Sequence, residues 1–323
     1  MNNNTLASAV QTHCTTTFGT LAMLDQGQRL TFLVLNVVVA LSSAVTNAIA
    51  IKIIIQTGQI RNQSIKLVFY LSVSNVGFAL IGQPVFAAIL YYGTELSCTA
   101  MRIMLFVIEF FLYSSTYLTG MLGFDRFMRI RYLNSYSQVY SRGRFTASIA
   151  VAGFLVLSQT GLSTMSRFLG LSAVFITLPI NILIFATVAC LYGKSIFILK
   201  RHEKNVKKMS RTRKTVQLTR LASLYIASDI LFSVPLVLLL GVYYFFRKDT
   251  TIDYELKGIL FYTCFLFFIC HCPANALCFL ISNKKAKSRK PGGGSQKSDD
   301  NMNSSSFNDT LVVHSHRDIN TKL

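Results

Sequence analysis

Ionisable side chains interrupt the long apolar blocks of this chain at very few places: Glu109, Asp125 with Arg126, Asp229 and His271. A charge inside apolar surroundings is expensive, so each such group is a functional candidate by default. Asp125 and Arg126 are neighbours at the end of a block. Arg126 stands where the macrodipole favours a cation, and at a helix end it can snorkel. Asp229 and His271 offer a carboxylate and an imidazole. Paired, they would titrate with pH; otherwise they belong to a polar network that ties helices together. Glu109 precedes Arg126 by 17 residues, about 25 Å along a helix. It either meets a cationic ligand or pairs with Arg102 two turns earlier. No nucleophile–base or metal-ligand spacing is present, so the reading includes no catalytic residue, no metal, no cofactor and no enzyme.

The elements that must hold these groups follow from composition. Hydrophobic residues make up 52% of the 323 residues and charged residues 14%, against about 25% charged in a soluble domain. Mean hydropathy is +0.46. A disordered chain is excluded, because it needs low hydrophobicity and high charge. Seven stretches are long enough to cross about 30 Å of hydrocarbon as helices. Leu30–Ile51, Leu67–Thr94, Phe145–Ser166, Phe168–Gly193 and Gly258–Asn283 carry no charge; Ile103–Phe124 carries Glu109, and Leu221–Phe246 carries Asp229. The fold expected is an all-α membrane protein, a seven-transmembrane helix bundle. No cleaved signal peptide is read ahead of the first span.

The formal net charge of +19 lies between the apolar blocks, which is a membrane pattern and requires no nucleic acid. With the N-terminus outside, the inner segments 52–66, 126–144, 194–220 and 284–323 hold 26 of the 32 Lys and Arg residues. That bias predicts the N-terminus outside and the C-terminus in the cytosol. The domains expected are an extracellular tail over 1–29, the bundle over 30–283, and a cytoplasmic segment over 284–323. Past about Lys290 that segment turns Gly-, Ser- and Asn-rich and cannot bury a core.

Asp125-Arg126-Phe127, at the inner end of span three, resembles the Asp-Arg-Tyr motif of rhodopsin-like (class A) G-protein-coupled receptors, with Phe for Tyr. Asn47 stands in span one where the family usually has Asn. Leu71-Ser72-Val73-Ser74-Asn75 resembles Leu-Ala-x-x-Asp, with Asn for the acid. Phe232-Ser233-Val234-Pro235 resembles Cys-Trp-x-Pro and keeps only the proline. Asn275-Ala276-Leu277-Cys278-Phe279 resembles Asn-Pro-x-x-Tyr, and Ser282-Asn283-Lys284-Lys285 is similar to the start of the family's short amphipathic eighth helix.

The resemblance implies roles residue by residue. Asp125, Arg126 and Phe127 would form the G-protein switch, Asn275 and Phe279 the span-seven motif, and Pro235 a hinge. Asn47, Asn75, Ser115, Asp229 and His271 would line a central polar pocket. Because Asn75 replaces the carboxylate a hard cation wants, sodium binding is expected to be weak or absent. Ser233 replaces the family's tryptophan, so activation cannot run through that indole. Pro84, Pro179 and Pro273 also fall within spans, where proline kinks a helix or is simply tolerated. The family's usual bridge to the second outer loop has no cysteine there, which leaves a Cys14–Cys98 bridge or none. Asn3 is an acceptor sequon on the outer tail.

The function expected is transduction of an unknown extracellular ligand to a heterotrimeric G-protein from the cell membrane, as a multi-pass glycoprotein in the lipid bilayer. Lys200, Lys204, Lys207 and Lys208 recur at helical spacing in the third inner connection and fit a G-protein contact or a lipid-attracted face. Phosphorylation of Ser304, Ser305, Ser306 and Thr310 would suit arrestin, and Thr321-Lys322-Leu323 resembles a PDZ-binding end. Two other readings stay open: a signalling-dead or constitutively active receptor-like protein, and a seven-helix transporter or channel. An opsin is disfavoured, since span seven holds no lysine.

Overall fold

A computed structural model of the chain describes residues 24–92, 96–132, 135–168 and 254–288, together with parts of 179–198 and 224–239. The elements are helices α1 (Gln26–Gln56), α2 (Gln63–Tyr92), α3 (Cys98–Arg131), α4 (Arg142–Phe168), α5 (Tyr254–Ile269) and α6 (His271–Ser288). There is no strand among the described residues. Two compact units divide the chain at 283/284, and of the second only residues 284–288 are described.

Caps fix where the helices begin. Asp25 and Gln28 form a reciprocal capping box on α1, with Asp25 Oδ1 accepting from the Gln28 amide at 2.6 Å. Asn62 caps α2 and Ser97 caps α3, each with one side-chain oxygen that accepts a backbone amide. Between α1 and α2 the chain reverses through Gly58, whose φ of 63° only glycine adopts without cost.

Among the described residues, five helical stretches are long and apolar enough to cross a membrane: Gln26–Gln56, Gln63–Tyr92, Cys98–Arg131, Arg142–Ser166 and Gly258–Ser282. This is the make-up of a multi-pass, all-helical membrane protein. The burial pattern agrees. In α1 the buried stripe is Phe32, Asn36, Ser43, Asn47, Ala50 and Ile54, while Leu41 is 63% exposed and Val38 and Val45 are also bare. Polar side chains face in and large apolar ones face out, the reverse of a soluble helix. The expected spans 168–193 and 221–246 are described only in part; a shorter apolar helix covers Pro179–Leu191.

Two departures from straight helix follow the prolines. A π turn, Phe78–Gly82, lies just ahead of Pro84 in α2. The last long span breaks at Cys270, between α5 and α6, three residues before Pro273. Proline has no N–H to close a helix bond and crowds the carbonyl four residues back. Pro235 sits in the helical residues 230–236, where Phe232 packs on Phe267 of α5 at 4.8 Å between ring centroids. The eighth helix expected from residue 284 is not a separate element among the described residues, because α6 runs as one helix to Ser288.

The core is layered along the helices. One apolar cluster gathers Phe32, Phe78, Phe86, Met101, Ile108, Tyr262 and Ile269. A second gathers Ala50, Ile54, Leu67, Leu71, Leu122, Tyr140 and Phe279. Between the two along α1, α2 and α3 stand Asn47, Asn75 and Ser115, and His271 of α6 sits beside Cys272 of the first cluster; all four are buried.

Candidate functional site: an ionic hub and a polar relay

Asp125 is completely buried near the C-terminal end of α3. Four groups converge on its carboxylate. Ser64, in the first turn of α2, donates its hydroxyl to Oδ2, and Tyr136, in the short helical turn Tyr136–Val139, donates to Oδ1, both at 2.5 Å. Arg126 Nη2 lies 3.6 Å from Oδ2, and Arg129 Nε lies 3.4 Å from it, one helical turn along α3. Arg129 is held in turn. Its Nη2 donates to Asn62 Oδ1 at 3.1 Å, and its guanidinium sits over the Tyr136 ring at 4.3 Å. The same Asn62 oxygen accepts from the Ser64 amide as the α2 cap.

The helix ends favour this arrangement. The positive N-terminal end of α2 faces a carboxylate, and three arginines, 126, 129 and 131, crowd the negative C-terminal end of α3. Burial pushes the Tyr136 phenol above its ordinary value, and the Asp125 carboxylate adds to the shift. Tyr136 therefore stays protonated and remains a donor. Gln63 Oε1 also lies 3.1 Å from that hydroxyl. The phenol has one proton, so the Asp125 bond uses it; Gln63 serves the same oxygen when its amide is turned to donate.

Arg126 is the anomaly of the hub. It is 2% exposed, and its Nε and Nη1 have no hydrogen-bond partner. Its contact with Asp125 is longer than a hydrogen bond. A guanidinium carries five donors and cannot shed its charge, so this one is buried with most of its donors unmet.

The second constellation crosses the bundle between the two apolar clusters. Asn47 Nδ2 donates to Ser43 O at 2.9 Å and to Cys272 O at 3.2 Å. Its Oδ1 accepts from Asn75 Nδ2 at 3.5 Å. Asn75 Oδ1 faces Ser115 Oγ at 3.3 Å, and Ser115 Oγ lies 3.2 Å from His271 Nε2. His271 Nδ1 ends the relay 2.7 Å from Phe268 O, a carbonyl beside the break at Cys270. Helices α1, α2, α3 and α6 are thus tied by one chain of side chains.

Carbonyls stand at both ends of the relay and only accept. His271 Nδ1 therefore carries a hydrogen, and with a neutral ring Nε2 is an acceptor. The single Ser115 proton is then claimed by both Asn75 and His271. An imidazolium would instead donate from Nε2 to Ser115, while for a neutral ring the Cys272 thiol, 3.5 Å from Nε2, is a second donor. The amide orientations follow from the same accounting.

Of the residues singled out in the sequence, Asp125 and Arg126 meet in the hub, and Asn47, Asn75, Ser115 and His271 meet in the relay. Phe127 is buried and lies 5.7 Å from the Arg131 guanidinium. Asn275 is buried one turn after His271, and Phe279 packs in the second apolar cluster. Glu109 is half-buried and Arg102 buried, both in α3. Ser233 is buried, and Pro235 half-buried. Cys98 is disulfide-bonded. Asn3, Cys14, Asp229, Lys200, Lys204, Lys207, Lys208 and the sites past residue 288 lie outside the described residues.

The sequence reading missed Ser64, Asn62, Tyr136 and Arg129. Arg129 had a readable signal, since Asp125 and Arg129 are four apart on one helix face. Asn62 and Ser64 carry a helix-cap pattern, with Asn62 as the N-cap of α2. Nothing local marks Tyr136. Neither a family model nor a curated protein sequence matches this chain.

Proposed function

We propose that this chain is a receptor of the rhodopsin-like (class A) G-protein-coupled kind. In this reading seven helices span the cell membrane with the N-terminus outside, and an extracellular ligand biases two bundle arrangements, one of which engages a heterotrimeric G-protein. Arrestin and PDZ contacts at the tail belong to the same proposal. The observation that carries it is Arg126, buried beside Asp125 with two of its nitrogens unpartnered. A buried cation with unmet donors is held at a cost, and an arrangement that offers it acceptors relieves that cost. This is the property a two-state switch requires. The relay supports the reading, because it couples four helices and a proline break in one polar chain.

The test is basal second-messenger output, cAMP and calcium, in cells expressing the wild type or Arg126→Ala at matched surface levels. Raised wild-type output that Arg126→Ala abolishes supports coupling. A rise in the mutant alone identifies Arg126 as a lock on the resting state. Silence from both, with no G-protein captured by the purified protein, favours the signalling-dead reading. That second reading draws on Asn75 in place of a carboxylate and on Ser233, buried where the family has tryptophan.

A further inference from the structure

A cavity of about 350 Å³ opens at the arginine-rich end of α3, lined by Phe127, Arg131, Gly193, Lys194, Phe197 and Ile198. We propose that it binds the headgroup of an anionic phospholipid. Arg131 and Lys194 would hold the phosphate, and Phe127, Phe197 and Ile198 would take the glycerol and the first methylenes.

Charge is the first argument. Over its last two turns α3 carries Arg126, Arg129 and Arg131 against a single acid, Asp125. That carboxylate is already engaged by two hydroxyls and flanked by Arg126 and Arg129. Arg131 makes no ion pair among the described residues; its guanidinium lies 5.5 Å from the Tyr132 ring and 5.7 Å from the Phe127 ring. The guanidinium is exposed, and its fork of donors matches two phosphate oxygens. Lys194, across the cavity, likewise makes no ion pair among the described residues. Two cations with no ion pair among the described residues face one space.

Placement is the second argument. Phe197 is 69% exposed at the rim. On a helix bundle that crosses a bilayer, such a ring meets acyl chain rather than water. The cavity also lies on the side where basic residues concentrate, which is the leaflet side anionic lipid favours. Its volume is at the low end of the roughly 300–1,000 Å³ of small-ligand sites. An acidic peptide or a free phosphate would use the cations but leave the apolar rim bare. The proposal needs only that the helices span a bilayer and stands whether or not the protein couples to a G-protein.

Native mass spectrometry of the full chain in mild detergent, with equimolar phosphatidylglycerol and phosphatidylcholine, tests it. Bound lipid is expected to be phosphatidylglycerol, with affinity falling about thirtyfold in Arg131→Gln/Lys194→Gln at about 1 kcal/mol per basic residue. Lys52→Gln/Arg61→Gln, which removes two exposed cations at the same end of the helices, should keep the preference. Phe197→Asp, made at an exposed position, should also expel the lipid and serves if the double variant fails to fold. Equal binding of the two lipids, or a preference that survives both the double variant and Phe197→Asp, overturns the proposal. Full displacement by glycerol 3-phosphate overturns the lipid assignment in favour of a soluble phosphate ligand.

Discussion

The hydroxyl of Tyr136 lies 2.5 Å from Oδ1 of Asp125, eleven residues earlier in the chain. The connection after α3 thus folds back to close the hub it leaves. Tyr136→Phe removes that donor from a buried carboxylate, and the expected loss of stability is about 1–3 kcal/mol. Thermal unfolding of the purified protein measures it. Under the proposed function, basal output should also rise, because the carboxylate facing Arg126 is less well held. A melting temperature unchanged within a degree would show that the hydroxyl is dispensable.

Asp125→Asn should be more damaging than Arg126→Met. Losing the acid leaves two cations facing each other in a buried site, a change of about 3–5 kcal/mol. Losing Arg126 leaves Asp125 with Ser64, Tyr136 and Arg129 still in place. Half-lives at fixed temperature in detergent rank the two variants, and the reverse order would contradict this account of the hub.

Much of this was legible beforehand. The long apolar blocks announced helices α1 to α4, and the prolines marked the π turn and the Cys270 break. The pairing of Asp125 with Arg126 came from the resemblance of Asp125-Arg126-Phe127 to a receptor motif. The relay was legible as a set of polar residues in apolar blocks but not as a chain, because its ends are the carbonyls of Cys272 and Phe268. Backbone groups carry no sequence signal. Tyr136 was invisible for another reason. Its partner is set by how a connection folds back, and no periodicity encodes that.

Asn75 gives the relay an amide where a hard cation would want anionic oxygen. Replacing sodium chloride with potassium chloride should therefore leave the wild-type melting temperature unchanged. Asn75→Asp should introduce a sodium-dependent increase. A sodium response in the wild type would mean that other oxygens supply the charge.

Gly77 lets the Phe111 ring lie directly on the α2 backbone. A Cβ there would stand 2.5 Å from Phe111 Cε1. Gly77→Ala is expected to cost about 1–3 kcal/mol through overpacking. Phe111→Leu should recover part of the loss in the double variant, and additive losses would point to another cause.

Cys98 is disulfide-bonded, and Cys14 is the expected partner because it is the other cysteine outside the apolar blocks. Peptide mapping without reductant should recover the two cysteines in one cross-linked species. Cys14→Ser and Cys98→Ser should then lower stability alike, by about 2–5 kcal/mol. Unequal effects with no cross-linked species would exclude the pairing.

The π turn Phe78–Gly82 winds five residues where an α-helix would place four. Everything in α2 beyond it is out of phase with the first half by about 100°. That offset is what turns Gln83, Phe86, Ile89 and Leu90 into the interior. The helix is two azimuthal frames spliced at one extra residue. Removing a single residue from the turn would leave a regular helix and yet swing its second half around the axis. There a deletion acts as a rotation, and the side chains it would expose begin with the fully buried Gln83.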